Sequence, residues 1–380
     1  MLKQTIRNLI YFFSGFFPKR KALVFGAWFG KRVGDNSKYL LDYIVENNNK
    51  LDIYWVGENK LRKEIVDQYN GRVKFLEINK LETVLVLLTT KYHIVSHGYN
   101  DLGRVNLSRN AKLIQLWHGF PLKKISADSA DIESSEYKYY SSYDYFLSSS
   151  PLMDKRLLSA FRFYGINEGN IIKSGFPRND YFEEQKLKSN KLEYAKIKSS
   201  LGIEKDEKIV SYLPTFRDKT VGYSFSNLSQ EHIDILNRNK IKIIEKKHLA
   251  SNDKMNNNKD YFIQIANEID TQVLLAITDI LITDFSSVFV DFAILNRPII
   301  HFLYDDDYYL NEDRGIYSSD FNEDVMGDVV YTEESLIDKI IMNLTEDKYE
   351  VFRNKQLVRY MAYQKENNSA YIFNKILNEE

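Results

Sequence analysis

Apolar residues fall along this chain in short unbroken runs that end in glycine or a polar turn, with longer stretches of helical spacing between them. The runs at 22–26, 52–57, 73–78, 93–96, 112–117 and 145–148 predict strands. The spacing near 37–47 and 81–90 predicts helices. Strands separated by helical stretches argue for a parallel sheet with helices on both faces. A polar, Lys-rich stretch over 183–200 interrupts the pattern, which then restarts with strands at 208–213, 240–245, 261–263, 280–283, 297–302 and 328–331. The tail over 334–380 reads as helical. The expectation is α/β, two such domains with a cleft between them, and binding residues at the carboxyl ends of the strands. No internal repeat is visible.

Residues 1–21 break this pattern. Ile6, Leu9, Ile10, Phe12, Phe13, Phe16 and Phe17 cluster between Lys3 and Arg7 on one side and Lys19, Arg20 and Lys21 on the other. The apolar stretch is shorter than the ~20 residues that span a bilayer, and no small-residue cleavage site follows it. Two readings stand: a helix lying in a membrane interface, or one packed on the protein's own core. Bulky aromatics beside a cationic cluster favour the interface. The division expected is an amphipathic segment at 1–21, an α/β domain at 22–182, a second at 183–350 and a C-terminal helix at 351–380.

Charge and composition narrow the function classes. Lys and Arg number 52 against 53 Asp and Glu, so bulk charge gives no footprint for nucleic acid. Cysteine is absent, which excludes disulfides and thiolate metal sites. No His-Glu-x-x-His, Walker or Gly-x-Ser-x-Gly motif occurs, and Gly26, Gly30 and Gly34 do not make a dinucleotide fingerprint.

Five clusters carry candidate chemistry. A predicted strand runs into Trp117, His118, Gly119, Pro121, Lys123 and Lys124. A histidine at a strand's carboxyl end, on a Gly-Pro turn, suits a general base; the alternative is a histidine hydrogen-bonded within the turn. Ser174, Gly175, Pro177, Arg178 and Asp180 form either a substrate contact or a linker turn. Pro214, Thr215 and Arg217 follow a strand, where a hydroxyl and a guanidinium grip phosphate oxygens unless Arg217 pairs with Asp218. Lys246, Lys247 and His248 end another strand as an anion site or a solvated charge run. In the fifth, an apolar strand ends at Thr283 and Asp284, and Ser286 or Ser287 opens an apolar helix with Asp291 one turn inside. Serine is a preferred N-cap, and a helix N-terminus binds phosphate; an ordinary capped helix is the plain alternative. Asp306, Asp307, Arg314 and Gly315 lie on an acidic, aromatic loop.

Taken in order, these residues resemble the CDP-glycerol:poly(glycerophosphate) glycerophosphotransferase family of teichoic acid enzymes. The likeness rests on Trp117-His118-Gly119, Pro121 and Lys123, on Gly175, Pro177 and Arg178, and on Pro214 to Arg217 and His248. It continues through Thr283 to Ser287, Asp291-Phe292, Arg297-Pro298, Tyr304-Asp305 and Arg314-Gly315, and covers roughly residues 22–345. The resemblance implies a GT-B type fold of two Rossmann-like domains. It implies His118 and His248 as catalytic residues, and Thr215, Arg217, Lys247, Asp284, Ser286, Ser287, Asp291 and Arg314 around a CDP-glycerol or CDP-ribitol donor. Gly119, Lys123 and Arg178 fall on the acceptor side. One departure bears on which polyol is carried: the family commonly has Pro-Gly-Pro where this chain has Met326-Gly327-Asp328.

The activity so implied is transfer of a polyol phosphate to a hydroxyl of a lipid-linked saccharide acceptor in wall or capsule synthesis, with release of CMP. The enzyme would sit peripherally on the cytoplasmic face of the membrane, with no nucleic-acid partner. No metal ligands are indicated; magnesium is neither required nor excluded. The rival is a sugar transferase of the same fold using a nucleotide-sugar donor.

Overall fold

The computed structural model describes residues 2–103, 106–129, 143–215, 222–246, 259–265, 269–305, 315–318 and 320–378. The chain forms two compact units. The first comprises Met1–Gly119, Ile125–Asp180 and Met361–Glu380; the second comprises Phe120–Lys124 and Tyr181–Tyr360.

The first unit holds a seven-stranded sheet: β1 (Arg20–Gly26), β2 (Asp52–Gly57), β3 (Lys74–Glu77), β4 (Thr90–Val95), β5 (Lys112–Gln115), β6 (Tyr145–Ser148) and β7 (Ile171–Lys173). Their order is β3-β2-β1-β4-β5-β6-β7, and neighbours are parallel throughout. The second holds β8 (Lys208–Tyr212), β9 (Ile241–Lys246), β10 (Phe262–Ile265), β11 (Ile280–Thr283), β12 (Ile299–Phe302) and β13 (Asp328–Val330), parallel in the order β10-β9-β8-β11-β12-β13. The unbroken apolar runs are the central strands: Ala22, Leu23, Val24 and Phe25 are fully buried, as are Leu281 and Ile282. Burial on both faces is what such runs require. In each sheet the strand order reverses beside its first strand, between β1 and β4 and between β8 and β11. A parallel sheet leaves its binding crevice there, at the carboxyl ends.

The tail expected as one helix over 351–380 is two, Glu350–Met361 and Asn368–Asn378. The second belongs to the first unit, where buried Asp180 caps it. The Asp180 carboxylate accepts from the Asn368 and Ser369 backbone N–H groups at 2.9 and 2.8 Å and from the Ser369 hydroxyl at 2.6 Å. These are the orphan donors of a helix start. The cap therefore fixes the turn Pro177–Phe182, on which Arg178 sits, to a helix almost two hundred residues later in the chain.

The N-terminal segment folds as a helix over Leu2–Ser14. Its C-terminal end is tied to the rest of the first unit: Lys19 Nζ bridges Ser14 O at 3.3 Å and Leu88 O of the helix Leu81–Thr89 at 2.6 Å, Arg109 donates to Phe12 O at 3.2 Å, and Asn110 to Gly15 O at 2.7 Å. The helix is docked through carbonyls at its C-terminal end, yet Phe13 and the following Phe16 remain 56% and 73% exposed.

Candidate active site

In the first unit, residues at the ends of β1, β4 and β5 are gathered by a buried carboxylate. Asp101 accepts the Phe29 N–H at 2.7 Å on one oxygen and the Ser96 and His97 N–H groups at 3.0 and 2.8 Å on the other. Burial nevertheless pushes its pKa up to about 6. The approach is close enough that a Cβ on Gly26 would lie 2.6 Å from the Asp101 carbonyl oxygen. This clamp sets His97 at the end of β4. Its Nδ1 accepts the Trp28 N–H at 3.3 Å, so its proton lies on Nε2. Nε2 has no hydrogen-bond partner among the described residues and stands 3.9 Å from Asp35 Oδ2.

His118 lies one strand over. Past β5 the chain leaves the sheet through Trp117 at φ 58° and Gly119 at φ 142°, a left-handed pair that turns the histidine onto its neighbour. The His118 Nδ1 donates to the Ser96 carbonyl at 2.9 Å, which leaves the Nε2 lone pair as the basic one. The two imidazoles are stacked, centroids 4.3 Å apart and planes 3° from parallel.

Asp35 and Arg178 complete the group. Asp35 opens the helix Asp35–Asn47 at φ 60°, and its Oδ1 accepts the Asn36 N–H at 2.9 Å and Arg178 Nη1 at 2.8 Å. Arg178 Nη1 also donates to the His118 carbonyl at 3.0 Å. Asn36 Nδ2 donates to the Trp117 carbonyl at 2.8 Å, binding this helix start to the β5 turn. Burial works to raise the Asp35 carboxyl, but Arg178, both histidines and the Asn36 N–H outweigh it and hold it below the usual carboxylate range. Burial drives His97 down to about 3 and lowers His118 as well, against the pull of Asp35 and the Ser96 carbonyl. The group thus consists of a buried ion pair beside two neutral imidazoles, one of which keeps a lone pair to accept a proton.

In the second unit the ends of β8 and β11 are cross-tied. Thr283 Oγ1 donates to the Leu213 carbonyl at 2.7 Å, and the fully buried Asp284 accepts the Thr215 N–H at 2.8 Å. This carboxylate holds the Pro214–Thr215 turn in place. The helix after β11 is short, Val288–Ala293. Ser287 sits at its cap without a side-chain capping bond, and Ser286 Oγ meets the Val288 N–H at 3.5 Å. Asp291 is buried at 3% exposure rather than displayed on the surface. His301 on β12 accepts the Met326 N–H on Nε2 at 3.1 Å and is held by burial at a pKa of about 4. The following Gly327 admits no side chain, since a Cβ would lie 1.8 Å from the Ile299 carbonyl oxygen. Among the described residues no three His, Asp or Glu side chains are grouped to hold a metal ion.

Residues 9–378 match the family described as CDP-Glycerol:Poly(glycerophosphate) glycerophosphotransferase. The chain belongs to this family. It is 31% identical over 358 residues to the teichoic acid poly(glycerol phosphate) polymerase of Bacillus spizizenii, covering 88% of this chain and 87% of that one. It is 29% identical to the teichoic acid glycerol-phosphate transferase of Staphylococcus aureus, covering 90% of each. Among solved structures it superposes on the wall teichoic acid polymerase TagF with a TM-score of 0.79 at 24% identity, over 98% of this chain and 92% of that one, a likeness of fold. The chain is thus a glycerophosphotransferase by family, built on two parallel α/β sheets.

Against this family frame, the structure brings His118, Gly119 and Arg178 together in the first unit. Lys123, expected with them on the acceptor side, belongs instead to the second unit. There it forms an antiparallel bridge with Ile316, and the Lys124 N–H donates to the Gly315 carbonyl at 3.1 Å. Backbone pairing with residues 315–317 captures this segment, whatever its side chain does. Thr215, Asp284, Ser286, Ser287 and Asp291 all lie at or just past the ends of β8 and β11. Arg217, Lys247, His248 and Arg314, with Asp306 and Asp307, lie outside the described residues. Asp35, His97 and Asp101 are the residues that sequence reasoning missed. One signal was present: His97-Gly98 ends β4 just as His118-Gly119 follows β5, both glycines with positive φ.

Proposed function

We propose that this chain transfers a polyol phosphate from a CDP-polyol to a hydroxyl of a lipid-linked acceptor in teichoic acid or capsule synthesis, releasing CMP. The observation that carries this reading is the His118 tautomer: Nδ1 is spent on the Ser96 carbonyl, and Nε2 is left as a base beside the Asp35–Arg178 pair. The acceptor oxygen attacks the β-phosphorus of the donor and forms the new O–P bond. Its proton passes to His118 Nε2, the pyrophosphate P–O bond breaks, and CMP departs with the electron pair. Asp35 lies close enough to favour the imidazolium so formed. The donor is assigned to the second unit, where Thr215, Ser286 and Ser287 offer hydroxyl groups; Arg217 and His248 supply the cationic share. The names of the relatives, polymerases and transferases of teichoic acid glycerol phosphate, support glycerol as the polyol.

The same reading makes the enzyme peripheral to the cytoplasmic face of the membrane. Among the described residues no helix is long and apolar enough to cross a bilayer. The N-terminal helix and the helix Leu81–Thr89 instead border an apolar groove of about 290 Å³ lined by Ile6, Leu9, Phe13, Phe17, Val84 and Leu88. Flotation with vesicles containing anionic lipid is expected to carry the protein, and the pair Phe13→Ser and Phe16→Ser to leave it in the pellet.

The deciding experiment is a donor screen. Acceptor-dependent CMP release from CDP-glycerol or CDP-ribitol, in the presence of a lipid-disaccharide analogue, supports the proposal and names the polyol. UDP release from UDP-glucose or UDP-N-acetylglucosamine would move the protein to the sugar-transferase reading.

A further inference from the structure

Four aromatic rings touch in succession in the first unit, the middle two stacked and the outer two tilted against them. Trp28 packs on His97 with centroids 4.3 Å apart, His97 on His118 at 4.3 Å, and His118 on Trp117 at 4.2 Å. The two histidines in the middle are not equivalent. His118 has a free lone pair on Nε2. His97 has none: its Nδ1 lone pair takes the Trp28 N–H, and its Nε2 carries the proton. His97 is therefore unable to compete for the acceptor's proton, although its ring lies flat against the base and its side chain is only 6% exposed.

We propose that His97 is a positioning residue: its neutral ring holds the His118 imidazole flat and screens one of its faces from water, so that Nε2 stays aimed at the acceptor's hydroxyl. This rests on the role proposed above for His118. The charged and titratable groups facing the pair come from every side. Asp35 approaches from the helix start, Arg178 from its turn and Arg32 from the β1 loop. Arg178 opposes the imidazolium and Asp35 favours it. A second charge on His97 would add repulsion at ring contact, and burial prevents it. The geometry is imposed from outside the rings. Asp101 fixes the His97 backbone, the Trp28 N–H fixes its ring nitrogen, and the left-handed Trp117 turn delivers His118 onto it.

The test compares His97→Ala, His97→Phe and His97→Asn in the full chain by two readouts: kcat and KM for CMP release across pH, and NMR titration of the labelled His118 ring. His97→Ala is expected to lower kcat about tenfold or more with donor KM nearly unmoved. Water then reaches His118, so its titration and the acid limb of the rate profile move up towards ~6.5. His97→Phe keeps a neutral ring and is expected to recover most of that loss while the His118 titration stays low. His97→Asn keeps a polar N–H without a ring and is expected to behave like Ala.

Rescue by Asn and not by Phe would overturn the proposal, because the Nε2–H near Asp35 would then be what matters. An unmoved His118 titration in the Ala variant would overturn it independently of any activity. A wild-type protein that titrates as expected but releases no CMP from either CDP-polyol would instead sink the proposed reaction, and the catalytic half of this inference with it.

Discussion

The two sheets of this protein share a strand order and differ in the chemistry at the same place. Past the ends of β4 and β5, in the first unit, stand ionisable side chains: His97 and His118 in contact, with the Asp35–Arg178 pair beside them. At the end of β11 in the second unit stands a carboxylate turned inward to a backbone N–H, followed by two serines and a short helix. The histidine of β12, His301, is one of the fully buried strand residues and joins β12 to the segment before β13. A parallel sheet with a reversal in strand order supplies the location of a site. What the site does depends on whether the residues there keep a lone pair or a hydroxyl for something outside the protein, or spend it on the fold.

Substituting His118 by Ala gives the largest expected effect. Turnover should fall by about 10²–10⁴ while donor affinity stays within about twofold, if donor binding lies in the second unit as proposed. Undiminished CMP release would erase the contrast drawn above.

Arg178→Met comes next. It leaves Asp35 charged and buried without its partner, which should cost about 3–5 kcal/mol in urea unfolding. Adding Asp35→Asn should recover most of that stability without restoring activity. If the double variant is no more stable than the single one, the ion pair is not what the site rests on.

Gly327→Ala probes the other sheet. Its Cβ would collide with the Ile299 carbonyl, a backbone atom that cannot step aside, and a loss of about 1–3 kcal/mol is expected. A Met326→Leu control should lose less than ~1.5 kcal/mol.

The smallest effect is acid sensitivity, and it separates the two units. Burial holds His93 and His97 down to about 3, lowers His118, and holds His301 at about 4. Each is neutral when folded and takes a proton near pH 6.5 when unfolded, so its contribution is present above about 6.5 and is lost as the pH falls from there towards its lowered folded value, about 3 for His93 and His97 and about 4 for His301. The slope reaches at most about 1.4 kcal/mol per pH unit for each histidine. Asp101, raised to about 6, works the other way and offsets one of the three in the first unit. Hydrogen exchange between pH 7 and 5 should therefore show β4 and β5 losing protection faster than β11 and β12. Equal losses would mean that the burial of His93 and His97 is not felt as stability.

Much of the architecture was legible in the sequence because unbroken apolar runs between glycines have few other uses. The strand positions other than β7 and the restart of the pattern after residue 200 follow from it; β7 and the return of Met361–Glu380 to the first unit do not. His118 and Arg178 were legible as well, since a strand end followed by a Gly-Pro turn is a local signal. Their meeting was not. It depends on the Asp180 cap to the helix Asn368–Asn378 and on Asn36 reaching the β5 turn, contacts between residues far apart in the chain.

The sequence by itself determined the periodicity, the two parallel sheets and the family, because each is written in neighbouring residues. Tertiary structure alone decided which histidine keeps its lone pair. That choice turns on single hydrogen bonds, Trp28 to His97 and His118 to Ser96, and on burial that holds both rings neutral. No spacing along the chain encodes either, because a tautomer is fixed by whichever donor or acceptor the fold brings within 3 Å or so.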